Sequence, residues 1–422
     1  MGVVGGAERV LIECARQTRR LRPEWKLSAI LFADGPLNHA LADLGVSVEV
    51  VALPVKLAAT GDSRRFALSS TGPNPFESHS KRGEKKNGWN RFSRSLSAGF
   101  SMIGQLPAGI VFLWLLRKSL RRIQPELIHS NGLKSHFCLA ATMPRGSRLL
   151  WHIHDFYSLR TRLKRALQLA SLRASGCFAI SRSVERDVRK VLPNLDSHLM
   201  LNAVDTVHFC PGPAEPESLD RAAGLPFTDP SLDAEKIRVG IVATYARWKG
   251  QDVFLRAISR VPDIRAFIVG GPIYATQGSQ WCVAELQELA KSLGVTDRVG
   301  FIPFQKDPLW IYRSLDIVVH ASTQPEPFGL TIVEAMACGK PVIVSAAGGA
   351  NELFENGKSG VGFESGNVGE LAGLILALTE DRKRRDDLGE CARVAATRDF
   401  PVTGFGRRLL EIYSLVCPQL EK

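Results

Sequence analysis

Short apolar runs alternate along this chain with segments of helical period. In the first half "LSAILF", "VSVEVV", "ELIHS", "RLLWHIH", "CFAIS" and "SHLMLN" read as strands, and "PLNHALADLG" reads as a helix between the first two. Strands that alternate with helices predict a parallel sheet covered on both faces. The pattern fails from Pro54 to about residue 98, where "KRGEKKNGWN" and its serine-rich flanks predict a long cationic loop. It fails again at "CPGPAEPES", and a linker is expected over 213–230. Beyond it the alternation restarts with "IRVGIVAT", "IRAFIVGG", "RVGFIPF", "DIVVHAS" and "PVIVSA". The expected architecture is therefore α/β, with two Rossmann-like, doubly wound domains facing a central cleft. They are placed at 1–212 and 231–400, and an amphipathic helix follows at 401–422.

One longer apolar run, "GFSMIGQLPAGIVFLWLLRKSLRR" from Gly99 to Arg122, is short for a membrane span and broken by Pro107. It reads either as a buried helix with a solvated tail or as a helix lying on a membrane surface. In the second case Lys118, Arg121 and Arg122 would sit near anionic headgroups.

The chain has 422 residues, 45% of them hydrophobic, and 54 Lys plus Arg against 42 Asp plus Glu. That basic balance suits phosphate-rich partners. It lacks the zinc-finger spacing, aromatic RNA-binding signature and repeated basic stripe of a nucleic-acid binder, so no nucleic acid is expected. The eight cysteines form no C-x-x-C pair, which predicts reduced, mostly buried thiols. Met1 leads into "GVVGGAERV" without a basic-then-apolar leader pattern. A cytoplasmic location is expected, with peripheral contact at the inner face of the membrane as the alternative above allows.

Ligands in open α/β sheets bind beyond the carboxyl ends of the strands, so the loops there hold the candidate chemistry. After "GIVAT" come Arg247 and Lys249, two cations suited to a diphosphate. After "FIVGG" the backbone of Gly270 and Gly271 is open to close approach. No G-x-G-x-x-G pattern opens either domain, which argues against a nicotinamide or flavin enzyme. After "DIVVHAS" the loop "TQPEPFG" leads into a helix, with Glu326 at its mouth and Glu334 about one turn inside. The free amides of Gly329, Leu330 and Thr331 would face the same space. Two carboxylates there can accept hydroxyl protons from a sugar. The residues alone also permit two other readings. Glu334 could be a helix carboxylate satisfied by a neighbour and Glu326 a solvated loop charge, or the pair could do hydrolytic acid–base work.

The segment "EPFGLTIVEAMACGKPVIVSAAGGANEL" resembles the E-x7-E nucleotide-sugar segment of the retaining family 4 glycosyltransferases, which have the GT-B fold. "GGAERVLIECA", "LIHSNG", "HIHDFY", "AISRSVERDV", "NAVDTVHF" and "YARWKGQD" agree with it in order. The resemblance implies transfer of a sugar from a nucleoside diphosphate sugar to an acceptor hydroxyl with retention of configuration. It implies that Glu334 holds the ribose, that Glu326 faces the transferred sugar and its phosphate, and that Arg247 and Lys249 face the diphosphate. Phe328, Gly329 and Leu330 would present backbone to the donor, and Gly5 and Gly6 would form a loop near its phosphates. His154 would point into the cleft, with Asp155 and Asn131 on the acceptor side. The cationic loop and the Gly99–Arg122 helix fall in the acceptor-side domain, so the expected acceptor is an anionic or lipid-linked saccharide used in cell-surface polysaccharide or glycolipid synthesis. No metal or other cofactor is implied. The last helix, with Phe405, Leu409 and Ile412 at helical spacing, resembles a segment that crosses back to the first domain.

Two departures stand out. Family members place an arginine five residues before the loop lysine, where this chain has Thr244. Only Met1–Val4 precede the glycines, so the first domain is expected to lack its first strand and to be less stable than a form extended upstream. A family member that binds nucleotide sugar without turnover, or an epimerase of the same fold, remains a competing expectation.

Overall fold

A computed structural model of the chain describes residues 5–54, 106–226, 235–272 and 278–421. The expected cationic loop beyond Pro54 lies outside these residues, as do residues 227–230 of the expected linker. Twelve strands are described: β1 Ser28–Leu31, β2 Ser47–Val50, β3 Leu127–Asn131, β4 Arg148–Ile153, β5 Gly176–Ala179, β6 Ser197–Leu199, β7 Ile237–Val242, β8 Ile264–Gly270, β9 Val299–Pro303, β10 Ile317–His320, β11 Val342–Ser345 and β12 Val361–Phe363. Between and after them run α1 Gly6–Leu21, α2 Pro36–Ala42, α3 Leu106–Ile123, α4 Leu133–Thr142, α5 Lys164–Ser171, α6 Arg182–Val191 and α7 Pro216–Ala222. The helices of the second half are α8 Gln251–Ile258, α9 Val283–Ser292, α10 Leu309–Ser314, α11 Leu330–Ala337, α12 Val368–Glu380, α13 Arg382–Asp399 and α14 Val402–Val416.

The second half forms one six-stranded parallel sheet in the order β12-β11-β10-β7-β8-β9. β8 and β10 are buried at every position, as expected of parallel strands covered on both faces. The order reverses at β7 and β10, so the loops that leave these two strands diverge and open a crevice between them. Gly250 makes that crevice tight. Its φ is 74°, and a Cβ there would lie 1.9 Å from the carbonyl oxygen of Ala321 at the end of β10.

Among the described residues the strands of the first half fall into two sheets. β1 pairs with β2, and β3-β4-β5-β6 form a separate sheet; among the described residues no strand joins them. Helices bridge the two instead. Phe112 of α3 meets Phe32, just past β1, edge to face at 5.1 Å, and α3 also packs on Ile128 of β3. On the opposite face Ile12 and Ala15 of α1 pack beside Leu31, while Val10 and Cys14 lie on Leu150 and Phe178.

The expected linker holds a helix. Pro216 opens α7 at a position where its missing N–H costs nothing. Leu219 and Asp220 are fully buried, and Asp220 pairs with Arg238 at 2.7 Å and Arg265 at 3.2 Å on β7 and β8. Proline and acid density suggested a linker because the buried partners of Asp220 lie far along the chain.

The last helix, α14, leaves the second half and packs on α1 and on the β4–β5 face. Its Tyr413 hydroxyl lies 2.7 Å from Nδ1 of His129 on β3. Leu409 is fully buried in this contact. Leu409→Ala is expected to destabilise the protein by about 2–5 kcal/mol, the usual cost of emptying a leucine site in a core. A shift of the urea unfolding midpoint to lower concentration checks it; an unchanged midpoint means that α14 adds nothing to stability.

Candidate active site

The loop after β10 is held by backbone bonds to the next strand's exit. Glu326 N donates to Ala347 O at 3.2 Å, and Gly349 N donates to Glu326 O at 2.7 Å. A Cβ on Gly349 would lie 2.1 Å from Pro327 O, so only glycine lets these strands' exits touch. The glycine pair thus sets the position of Glu326. Its side chain is buried, and Oε2 accepts from Lys249 Nζ at 2.5 Å and Ser322 Oγ at 3.1 Å. His320 Nε2 lies 3.1 Å from the same oxygen. Burial alone would raise its pKa, but Lys249 and His320 outweigh burial and hold the carboxylate well below its ordinary range. Glu326 is therefore charged.

Gly329 caps α11 with φ 107°, and Leu330 is its first residue. Phe328 is buried against Phe400, which leaves its backbone rather than its ring toward the loop. Glu334 lies one turn inside and is buried. Both its oxygens are occupied: Tyr312 Oη donates to Oε2 at 2.9 Å, and Arg9 Nη2 lies 2.6 Å from Oε1. Arg9 belongs to α1 of the first half. Across the same gap, a Cβ on Gly6 would meet Leu330 Cδ1 at 3.6 Å. Gly6 is the first residue of α1 and Gly5 its N-cap, so the expected glycine loop is a helix N-terminus.

The carboxyl ends of β3 and β4 line the other wall. His154 Nε2 lies 2.5 Å from Asn131 Oδ1, and Asn131 Nδ2 donates to Ala7 O at 3.3 Å, which ties α1 to the wall. Burial is the main cause that drives His154 down to about 3, so its ring is neutral near neutral pH. Behind it lies a cluster invisible as a sequence motif. The His152 and His154 rings sit 3.8 Å apart, His129 Nε2 lies 3.1 Å from His152 Nδ1, and Cys14 brings its sulfur within 4.8 Å of both.

Several expected site residues have partners of their own. Arg247 stacks on Trp281 at 3.8 Å and pairs with Glu285 at 2.6 Å. Asp155 is held by Arg160 at 2.7 Å. Gly270 ends β8, and Gly271 O accepts from Tyr245 N at 3.0 Å. The sequence reading missed Arg9, Tyr312, His320 and Ser322. His320 and Ser322 were within reach of it, because they end the strand that delivers Glu326. Arg9 and Tyr312 carried no local signal.

Two α/β domains thus meet where a helix N-terminus carries two buried carboxylates. The chain matches the glycosyl transferases group 1 family over residues 227–395 and Glycosyltransferase Family 4 over residues 37–208. The chain belongs to the family 4 glycosyltransferases and has the GT-B fold. It is similar to a crystal structure of Anabaena HepE in complex with UDP and glucose: TM-score 0.75, 26% identity, 98% of this chain and 97% of that one. A glycosyltransferase from Rickettsia africae shares the fold at TM-score 0.70 and 20% identity, over 98% of this chain and 96% of that one. A D-inositol 3-phosphate glycosyltransferase of Mycobacterium sp. (strain KMS) is 36% identical over 178 residues. That match covers 42% of this chain and only 37% of the relative's length.

The depressed His154 pKa has a consequence for stability. The unfolded chain takes up a proton near 6.5, whereas the folded protein holds His154 neutral down to about 3. Its contribution is whole above about pH 6.5 and is lost as pH falls below that value. His154→Asn is expected to flatten the fall of the unfolding midpoint between pH 6.5 and 4 by roughly one proton's worth of slope. Equal slopes for the two proteins would show that His154 titrates alike in both states.

Proposed function

We propose that this chain is an active, retaining glycosyltransferase that moves a sugar, a hexose on this reading, from a nucleoside diphosphate sugar to an acceptor hydroxyl. One observation carries the reading. A charged, buried Glu326 bonded to Lys249 stands at the N-terminus of α11, with Glu334 one turn inside the same helix. A structural ion pair has no need of a helix N-terminus that opens on a cleft; a diphosphate and a diol use both. Glu334 accepts the ribose hydroxyls, and the α11 amides with Lys249 offset charge on the departing diphosphate. Glu326 holds Lys249 and accepts hydroxyls of the transferred sugar. Neutral His154 and Asn131 line the side from which the acceptor approaches. The anomeric carbon breaks its bond to the diphosphate oxygen and bonds to the acceptor oxygen, whose proton passes to the leaving diphosphate. Protein cations and amides supply the countercharge, so the reading needs no metal.

The Anabaena protein bound UDP and glucose, which makes UDP-sugars the first donors to try. Thermal stabilisation and slow donor hydrolysis are expected with one of the UDP-, GDP- or ADP-sugars. Glu334→Ala is expected to weaken that donor's binding roughly 10- to 100-fold, the value of hydrogen bonds to a charged group. Binding without turnover by the unmodified chain favours the non-catalytic member of the family; binding that survives Glu334→Ala overturns the ribose assignment. Proton NMR of the product's anomeric centre tests retention.

The proposed acceptor is a saccharide or lipid-linked saccharide of surface polysaccharide or glycolipid synthesis, reached by peripheral contact at the cytoplasmic face of a membrane. The outer face of α3 supports this. Ile110, Val111, Trp114 and Leu115 are exposed in its first half, Trp114 by 58%, and Arg117, Lys118, Arg121 and Arg122 are exposed in its second. Phe112, Leu116 and Leu120 are the buried face, so the same helix is core on one side and apolar-then-basic on the other. No helix among the described residues is long and apolar enough to cross a membrane. At low salt the protein is expected to float with phosphatidylglycerol vesicles and not with phosphatidylcholine alone, and Trp114→Ala with Lys118→Glu is expected to abolish flotation. Equal flotation by the variant would move the contact elsewhere.

A further inference from the structure

We infer that Arg9 is a second diphosphate-binding cation, held on Glu334 until the donor's ribose displaces it. The inference rests on the nucleotide-sugar reading of the same site.

The diphosphate needs more positive charge than the second domain offers. Thr244 stands where the family's arginine would be. Arg247 lies over Trp281 and pairs with Glu285 at 2.6 Å. Lys249 remains, already neutralised by Glu326. Arg9 is the guanidinium that crosses from the first domain to Glu334 of α11. It comes from the first turn of α1, which meets Leu330 at the start of α11.

Its present partner is the carboxylate assigned to the ribose. Arg9 Nη2 lies 2.6 Å from Glu334 Oε1, and Tyr312 covers Oε2. The carboxylate side chain is 2% exposed and the arginine side chain 39%, so Glu334 is enclosed while Arg9 opens on the cleft. Among the described residues Arg9's side chain has no other hydrogen-bond partner, which leaves its remaining N–H groups free for phosphate oxygens. The swap conserves pairing at each step. Ribose hydroxyls replace the guanidinium on Oε1, Tyr312 keeps Oε2, and the guanidinium gains a charged partner within reach of its own side chain. A phosphate suits the planar fork of arginine better than a carboxylate shared with a phenol. Because Arg9 and Glu334 lie on different domains, the same swap reports donor binding to the interface between them.

The test compares a nucleotide with its own nucleoside. Isothermal titration is run with UDP, GDP and ADP and with uridine, guanosine and adenosine, on the unmodified chain, Arg9→Ala, Arg9→Gln and Arg9→Lys. For the nucleotide that binds, Arg9→Ala and Arg9→Gln are expected to weaken affinity roughly 10- to 100-fold. The matching nucleoside is expected to bind them as well as or better than the unmodified chain, since Glu334 is released. Arg9→Lys is expected to fall between. A merely structural Arg9 would move nucleotide and nucleoside together, and that result overturns the inference. So does unchanged nucleotide affinity in both neutral variants. If the unmodified chain binds no nucleotide, the nucleotide-sugar reading itself falls, an outcome distinct from the other two. Should Arg9→Ala melt early, Arg9→Gln and Arg9→Lys carry the comparison.

Discussion

Burying two carboxylates in one cleft is the constraint around which this structure is arranged. An ionised carboxylate taken out of water is costly unless it is paired and hydrogen-bonded. Each glutamate meets that demand from a different direction. Glu326 draws its partners from its own domain: Lys249 from the loop after β7, His320 and Ser322 from the end of β10. Glu334 draws one from its own domain, Tyr312, and one from across the cleft, Arg9. The first arrangement fixes a charge in place. The second ties the two domains together through a carboxylate buried between them.

The rest of the molecule supports that difference. The site falls at the reversal of strand order, where Gly250 and Gly349 let chain segments approach more closely than any Cβ allows. The first domain is held to the second by further contacts of the same kind as Arg9 with Glu334. Glu352, beyond β11, accepts from the backbone amides of Arg182 and Ser183 at 2.8 and 2.7 Å, so a residue of one domain caps α6 of the other. Capping bonds of this sort are worth about 1 kcal/mol, enough to hold an interface and little enough to release it. Packing against α14 is the firmer tie, since it buries apolar side chains from both ends of the chain.

Much of this was legible in the sequence, and the reason is locality. Strands that alternate with helices, glycine pairs, and two glutamates spaced across a loop and a helical turn are all written within a few residues of one another. So were the ends of α11, which begins at Leu330 and closes at Cys338. What was not legible is what depends on distant segments. Arg9 reads as one more charge on an amphipathic helix, and only the fold places it 2.6 Å from Glu334. Asp220 reads as linker acidity until β7 and β8 bring two arginines to it. Arg247 reads as a free loop cation, and only the fold brings it to Trp281 and Glu285, more than thirty residues on. The histidines failed for the same reason, since Cys14, His129, His152 and Tyr413 meet from four separate elements.

That histidine cluster bears on the site from behind. Tyr413 on α14 touches His129, His129 touches His152, and the His152 ring lies 3.8 Å from that of His154 at a tilt of 37°. Burial lowers the pKa of each of the three histidines. Neutral imidazoles in contact must alternate donor and acceptor, so the tautomer of one limits that of the next. Asn131 Oδ1 can only accept, which requires the hydrogen on His154 Nε2 and leaves Nδ1 as its acceptor. The tautomer of His154 is thus set by Asn131 on β3, while its ring packs against a run of tilted and edge-on rings that leads back to the last helix.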